Sequence, residues 1–471
     1  MRCSLKIMVL ELFGESVLRG VSLDTPDSLS FKSLGACDGD VNESADSYEA
    51  KLSELLSQLD RDNFDVVVLD STIGRGSTTN EKVRIEIGIA KFLELAVTKI
   101  GIQLPVPAII LNRDCSMESS EIEKFEKNGT KILEFDGCLT ENQFGSQYRD
   151  HSLNGYPRGE SWVRRALTNA LVLYRLDEQD ISNFTEVKCR MQEALEKSNG
   201  LDEDQVEVDA GDYKGHIAYR FKDSKDNPDN LLVIYFNGAI DPKRAEGKPV
   251  FQRKSWWPEL PGDSASCADP TQNAFKDLAL GWGQGTRQAW GIPVQAAMVS
   301  ALISFWRKRC GLRIDEGTVV LYGSSGGGFQ ALEVGTLLRV DRVLVNNPQL
   351  DWLKYEGRKH VIDLMQKVYG PWSNHSGFRG EWAERISVLE FWEKAGFVPA
   401  FDLFVNAFSS PDISNQVAPL LSKMGNEKAA RKFENVSIRY YTCSEDGHSP
   451  LLTRELLGIV SRPPWELISW N

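Results

Sequence analysis

The 471-residue chain is short of the features that announce a metal module or a secreted scaffold. Its 8 cysteines, Cys3, Cys37, Cys115, Cys138, Cys189, Cys267, Cys310 and Cys443, form no CxxC pair, and its 5 histidines are scattered. Structural zinc needs such ligands clustered at short spacing, so this distribution argues against it. A chain of this length needs no disulfide framework, and the cysteine usage reads as that of a reducing, cytoplasmic compartment. Long apolar runs are missing too. The opening "MRCSLKIMVLELFGES" is interrupted at Glu11 and carries no small-residue cleavage site. It reads as a first strand rather than a signal sequence or a membrane span. An excess of positive charge is absent: 54 Lys and Arg against 67 Asp and Glu leave a formal charge of −13, which argues against a general nucleic-acid binder. Internal repeats and low-complexity tracts are not evident.

What is present is apolar residue in quantity, 41% of the chain, enough for a large core and more than one domain. In the first part β-rich runs alternate with stretches of helical period. "LKIMVLELF", "FDVVVLD", "VPAIILN" and "TKILEF" are the strands; "ADSYEAKLSELLSQL" and "RIEIGIAKFLELAVTKI" are among the helices. Such alternation predicts a parallel sheet covered by helices on both faces. A charged, Gly- and Asp-containing stretch follows, with a helix in its middle. The expected division is an α/β domain over 1–177, a helical linker over 178–205 and a second α/β domain over 206–471. In the second part "HIAYRFK" reads as an antiparallel edge strand. "LLVIYFNG", "GTVVLYG", "RVLVNNP", "AFDLFVNAF" and "NVSIRYYTC" follow as strands, with "VQAAMVSALISFWRKR" as a helix.

The chemistry centres on "VVLYGSSGGGFQAL", where glycines and serines stand between a strand and a helix. Gly323, Ser324, Ser325, Gly326 and Gly327 fit G-x-S-x-G, and only Ser325 fits its middle, because Tyr322 stands where a glycine would have to precede Ser324. A serine on a sharp strand-to-helix turn presents its hydroxyl above the sheet edge, beside the N–H groups that open the helix. Two other readings compete. One is a plain tight turn. The other is a dinucleotide fingerprint, since Gly326, Gly328 and Ala331 fit G-x-G-x-x-A, although that motif normally follows the first strand of its domain. A P-loop is ruled out by the lack of a lysine after the glycines.

A serine needs a base, and the base needs an orienting acid. His448, in "SEDGHSP" after the last strand, is the candidate base; Asp412, in "AFDLFVNAFSSPDISNQ", is the candidate acid. Asp351 in "NNPQLDW" and Asp446 are the alternative acids, and His360 and His375 the alternative bases. The stretch between Ser325 and Asp412 that holds these histidines reads as a cap or lid. The oxyanion donors are expected from Gly326 and from the loop "FNGAIDPKR", with Gly238 and Ala239 as candidates and Asn237 shaping the turn.

Together these residues resemble the α/β-hydrolase superfamily over about 206–471. Asp269, Pro270 and Thr271, with Gly281, Trp282 and Gly285, are similar to hydrolase-like proteins of bacterial capsular polysaccharide biosynthesis and to an accessory-secretion protein that acts on glycosylated adhesins. The resemblance implies a serine esterase or acyltransferase working on sugars, with a small-molecule or carbohydrate substrate, polysaccharide-biosynthesis proteins as partners and no cofactor. It also admits a non-catalytic glycan-binding or assembly protein. The tryptophans around these motifs read either as a sugar-stacking face or as packing. In the first part "LFGESVLRG" and "DHSLNGYPRG" resemble the first and last blocks of GDSL/SGNH hydrolases, which implies Ser16 as a nucleophile and His151 as a base. Glu15 replaces that family's Asp, and Tyr148 stands where its acid would be, with Asp150 adjacent to the histidine instead. The expected fold class is therefore α/β in two domains: a flavodoxin- or SGNH-like parallel sheet and an α/β-hydrolase fold.

Overall fold

The computed structural model describes most of residues 176–451, residue 459, and, before 176, five strands with residues 50, 53 and 54. Residue contacts divide the chain into two compact units, 2–152 with 156–175, and 176–471 with residues 1 and 153–155.

The first unit holds β1 (Lys6–Glu11), β2 (Ser28–Ser33), β3 (Val66–Asp70), β4 (Ala108–Asn112) and β5 (Lys131–Glu134). They form one sheet in the order β2-β1-β3-β4-β5, and every neighbouring pair is parallel. This is the flavodoxin-like order of doubly wound sheets. Its central strands are buried on both faces, with Ile7, Val9 and Leu10 of β1 and Val66 to Leu69 of β3 all sealed from solvent. That is why their sequences run apolar without alternation. Ser16, Tyr148, Asp150 and His151 lie outside the described residues.

The second unit is built on eight strands: β6 (Glu203–Asp209), β7 (Lys214–Arg220), β8 (Leu231–Phe236), β9 (Asp263–Cys267), β10 (Thr318–Ser324), β11 (Arg342–Asn346), β12 (Phe401–Asn406) and β13 (Val436–Tyr441). Their order is β13-β12-β11-β10-β8-β9-β7-β6. From β13 to β9 all neighbours are parallel; β7 is antiparallel to both β9 and β6. The strand in "HIAYRFK" is thus antiparallel as expected but not an edge. β6 covers it, and alternates exposed and covered residues along its length as an edge strand should. The helix expected to be a linker, α1 (Glu178–Lys197), packs along β6 and along α2 (Gly291–Cys310). It buries Phe184, Val187, Met191 and Leu195, which recur at helical spacing on one face. α2 ends at Gly311, which takes the left-handed conformation (φ 66°), and Arg307, Lys308 and Arg309 in its last turn suit the negative end of the helix dipole.

The parallel register sets up the site. Gly323 pairs with Phe236, Ser324 with Asn346, and Asn346 with Phe404. The loops that leave β8, β10, β11 and β12 therefore emerge at one edge of the sheet, the carboxyl edge where open α/β sheets hold ligands. The connection from β11 to β12 contains short helical turns and α4 (Val388–Ala395), which packs on α3 (Gly326–Leu338). Buried Trp352, Tyr369 and Phe378 form its interior. Among the described residues, no helix is long and apolar enough to cross a membrane.

Candidate active site

Ser325 lies between β10 and α3 with φ 55° and ψ −125°, a conformation that non-glycine residues rarely hold. Its neighbours explain how it is kept there. A side chain on Gly323 would run into the Gly327 carbonyl, and one on Gly327 would come within 2.5 Å of the Phe236 carbonyl oxygen. The glycines are required by close backbone packing, and that accounts for them without a phosphate. Ser325 N–H donates to Asn346 O (3.1 Å), and Ser325 O accepts from Gly328 N (3.1 Å) and Gln349 N (3.2 Å).

The Ser325 hydroxyl oxygen is 3.0 Å from His448 Nε2, and His448 Nδ1 is 2.7 Å from Asp412 Oδ2. A carboxylate only accepts, so the proton belongs on Nδ1, and the Nε2 lone pair faces the serine hydroxyl. Asp412 is buried on the loop after β12, where its Oδ2 also accepts from Ser409 Oγ at 2.5 Å. Asn347, from the loop after β11, donates to the His448 carbonyl (3.1 Å) and ties the histidine loop to the sheet edge. Ser324 points elsewhere and accepts from Arg253 (3.3 Å).

The alternatives fall in other places. Asp351 is buried but paired with Arg379 (2.6 Å), with Lys354 at 3.8 Å. His360 stacks on Tyr355, whose ring in turn lies 5.8 Å from that of His448. Burial, with the nearby Asp412 carboxylate second, holds the Tyr355 phenol above its ordinary pKa. Asp446 and His375 lie outside the described residues.

Of the three expected oxyanion donors, Gly238 is already engaged: its N–H donates to Gln252 Oε1 (2.8 Å), while Gln252 Nε2 donates to Ala239 O (2.6 Å). Asn237 helps to hold that clamp, accepting from Gln252 N (3.0 Å) and donating to Val250 O (2.7 Å). The N–H groups of Ala239 and Gly326 have no hydrogen-bond partner among the described residues. Among those residues no cluster of three or more metal-binding side chains occurs.

The motif around Asp269 and Gly281 is structural at its root. Asp269 is fully buried and accepts from Thr271 N (2.8 Å), Gly283 N (3.2 Å) and Gln330 Nε2 (3.2 Å). Burial pushes its carboxyl up to about 6, against the pull of those donors. Thr271 Oγ1 donates to Gly281 O (3.1 Å) and accepts from Gly285 N (2.9 Å). Trp256, Trp257, Trp282, Trp290 and Trp352 are all buried and offer no open stacking face for a sugar. Sequence reasoning passed over Gln349, whose Nε2 is 2.7 Å from Ser325 Oγ and 3.3 Å from His448 Nε2. The available signal was its position, a polar side chain just after the buried strand "RVLVN".

No protein-family profile matches this chain, and no curated protein matches it. Solved structures similar to this chain include a capsule O-acetyltransferase of Neisseria meningitidis serogroup A. It is 13% identical, with a TM-score of 0.37, over 56% of this chain and 94% of that one. A glycosylation-associated protein complex (Gap123) from Streptococcus agalactiae is 12% identical, with a TM-score of 0.38, over 57% of this chain and 47% of that one. Prolyl oligopeptidase B from Galerina marginata, in its apo form, is 13% identical, with a TM-score of 0.35, over 55% of this chain and 36% of that one.

Proposed function

We propose that the second unit is a serine acyl-transferring enzyme, an esterase or acyltransferase, with Ser325 as nucleophile, His448 as general base and Asp412 as the group that orients the base. The observation that carries this reading is the unbroken relay from Ser325 Oγ through His448 to buried Asp412, made by residues from three separate loops, with the serine held in a conformation it would not choose. A packing role explains none of these together.

In the proposed reaction, His448 Nε2 takes the Ser325 hydroxyl proton as Oγ bonds to an ester or thioester carbonyl carbon. The carbonyl electrons move to oxygen, which the free N–H groups of Gly326 and Ala239 are available to receive. Collapse expels the alcohol or thiol, which collects the proton from His448, and leaves an acyl-serine. Water or a sugar hydroxyl then gives its proton to His448 and attacks the acyl carbon; the bond to Oγ breaks, Ser325 takes that proton from His448, and the acid or acylated sugar is released. Asp412 accepts from Nδ1–H throughout and stabilises the imidazolium. A sugar as acceptor, and a polysaccharide as the larger substrate, rest on the resemblance carried by Asp269, Thr271, Gly281 and Trp282. No metal or organic cofactor is required.

A fluorophosphonate probe tests the reading. Wild type is expected to label covalently, and Ser325→Ala and His448→Ala are not. Equal labelling of Ser325→Ala, or none of the wild type, rejects the assignment.

A further inference from the structure

Gln349 meets the reacting residue twice. Its backbone N–H donates to Ser325 O (3.2 Å), and its side-chain Nε2 lies 2.7 Å from Ser325 Oγ. The carboxamide can be oriented without ambiguity, because Trp282 Nε1 is 2.8 Å from Gln349 Oε1 and an indole N–H only donates. The oxygen must therefore face Trp282, and the NH2 must face Ser325 and His448. Both side chains are fully buried, so water does not compete for the bond between them. Trp282 is itself held in a left-handed backbone conformation (φ 51°) between Gly281 and Gly283, whose backbones are bonded to Thr271 and Asp269.

We infer that Gln349 is a further catalytic residue of this site, a buried donor to the Ser325 oxygen whose aim is locked by Trp282. The inference rests on the proposed serine chemistry and deepens it. With Gln349 N–H on one lone pair of Oγ, the hydroxyl proton finds no acceptor on that side. The acceptor within reach is His448 Nε2, so the hydroxyl is turned toward its base before substrate arrives. As that proton leaves for His448, negative charge grows on Oγ against a dipole already fixed in place by Trp282, which need not reorganise as the charge develops. The same geometry gives the Asp269–Thr271 and Gly281–Trp282 motifs a purpose: they brace the tryptophan that holds the glutamine.

The test is the rate of covalent labelling by a small alkyl fluorophosphonate, resolved into a maximal rate and a half-saturating concentration, on the full chain. Gln349→Glu keeps an acceptor for Trp282 and removes the donor to Oγ. Its maximal labelling rate is expected to fall about 10–100-fold, below the roughly 10²–10³-fold lost with an oxyanion donor because this bond is already made before reaction, with half-saturation within about twofold of wild type. Trp282→Phe leaves Gln349 in place but frees its carboxamide to turn, and is expected to lose about 3–10-fold, less than the glutamate. A role in packing alone would lower the melting temperature without separating the two kinetic constants. A maximal rate within about twofold of wild type in Gln349→Glu overturns the inference while leaving the serine enzyme intact. If that variant does not fold, an unchanged maximal rate in Trp282→Phe overturns it. A wild type that ignores the probe overturns the inference together with the reading it rests on.

Discussion

Asp351 and Asp412 are a matched pair with opposite fates. Each follows a buried parallel strand, and each is about 5% exposed. Asp412 meets an imidazole at 2.7 Å, while Asp351 meets the guanidinium of Arg379 at 2.6 Å. A carboxylate beside a permanent cation is spent on holding structure. A carboxylate beside a group that gains and loses a proton can take part in chemistry. Under the proposed chemistry, burial and position at a strand end do not single out the acid of the site; the chemical type of its partner does.

The largest expected break in that symmetry is in rate. Asp412→Asn should lower fluorophosphonate labelling by about 10³–10⁴-fold, because an amide can stabilise the wrong histidine tautomer. Asp351→Asn should leave labelling within about twofold of wild type. Equal losses from both variants would erase the distinction drawn between the two acids.

A third buried acid sharpens the comparison through pH. Among the described residues Asp269 has neither a cation nor an imidazole paired with it, and burial raises its carboxyl from 3.8 to about 6. Below about 3.8 it is protonated folded or unfolded and makes no difference. As pH rises through that value toward 6, the unfolded chain releases the proton and the folded one keeps it, so this group's contribution to stability is lost progressively. Above about 6 the folded state bears the full penalty, of about 3 kcal/mol. Urea unfolding at about pH 4.5 and about pH 7.5 should therefore show Asp269→Asn gaining on wild type as pH rises, and a difference that does not change with pH would refute the burial argument. Smaller again is the effect of Arg379→Ala, expected to cost roughly 1–3 kcal/mol by leaving Asp351 without its main partner. Because Arg379 is half-exposed, the lower end is expected, with labelling unaffected.

Much of this was legible in the chain because parallel strands buried on both faces, such as "LLVIYF" and "VVLYG", write themselves as apolar runs. The ends of β10, β12 and β13 lead to Ser325, Asp412 and His448, and the structure brings the histidine within hydrogen-bonding distance of the other two. What stayed hidden was decided by contacts between distant residues. Asp351 and Asp412 read alike until Arg379 is seen in space. Gly238 reads as a donor until Gln252, 14 residues on, takes its N–H. Gln349 carries no motif, and Trp282 reads either as a stacking face or as packing until its burial inside the protein is seen. β7 and α1 depart from their expected places for one reason: β6, which covers the first, and α2, which receives the second, are set by tertiary packing rather than local period.

The conformation of Ser325 has an evolutionary corollary. At φ 55° and ψ −125° a glycine would rest comfortably where the serine does not. Ser325→Gly is thus expected to melt later than the wild type, with a gain of about 1–3 kcal/mol, while losing the reaction altogether. On stability alone glycine is the better residue at this position, and under the proposed chemistry it is the hydroxyl that accounts for a serine there.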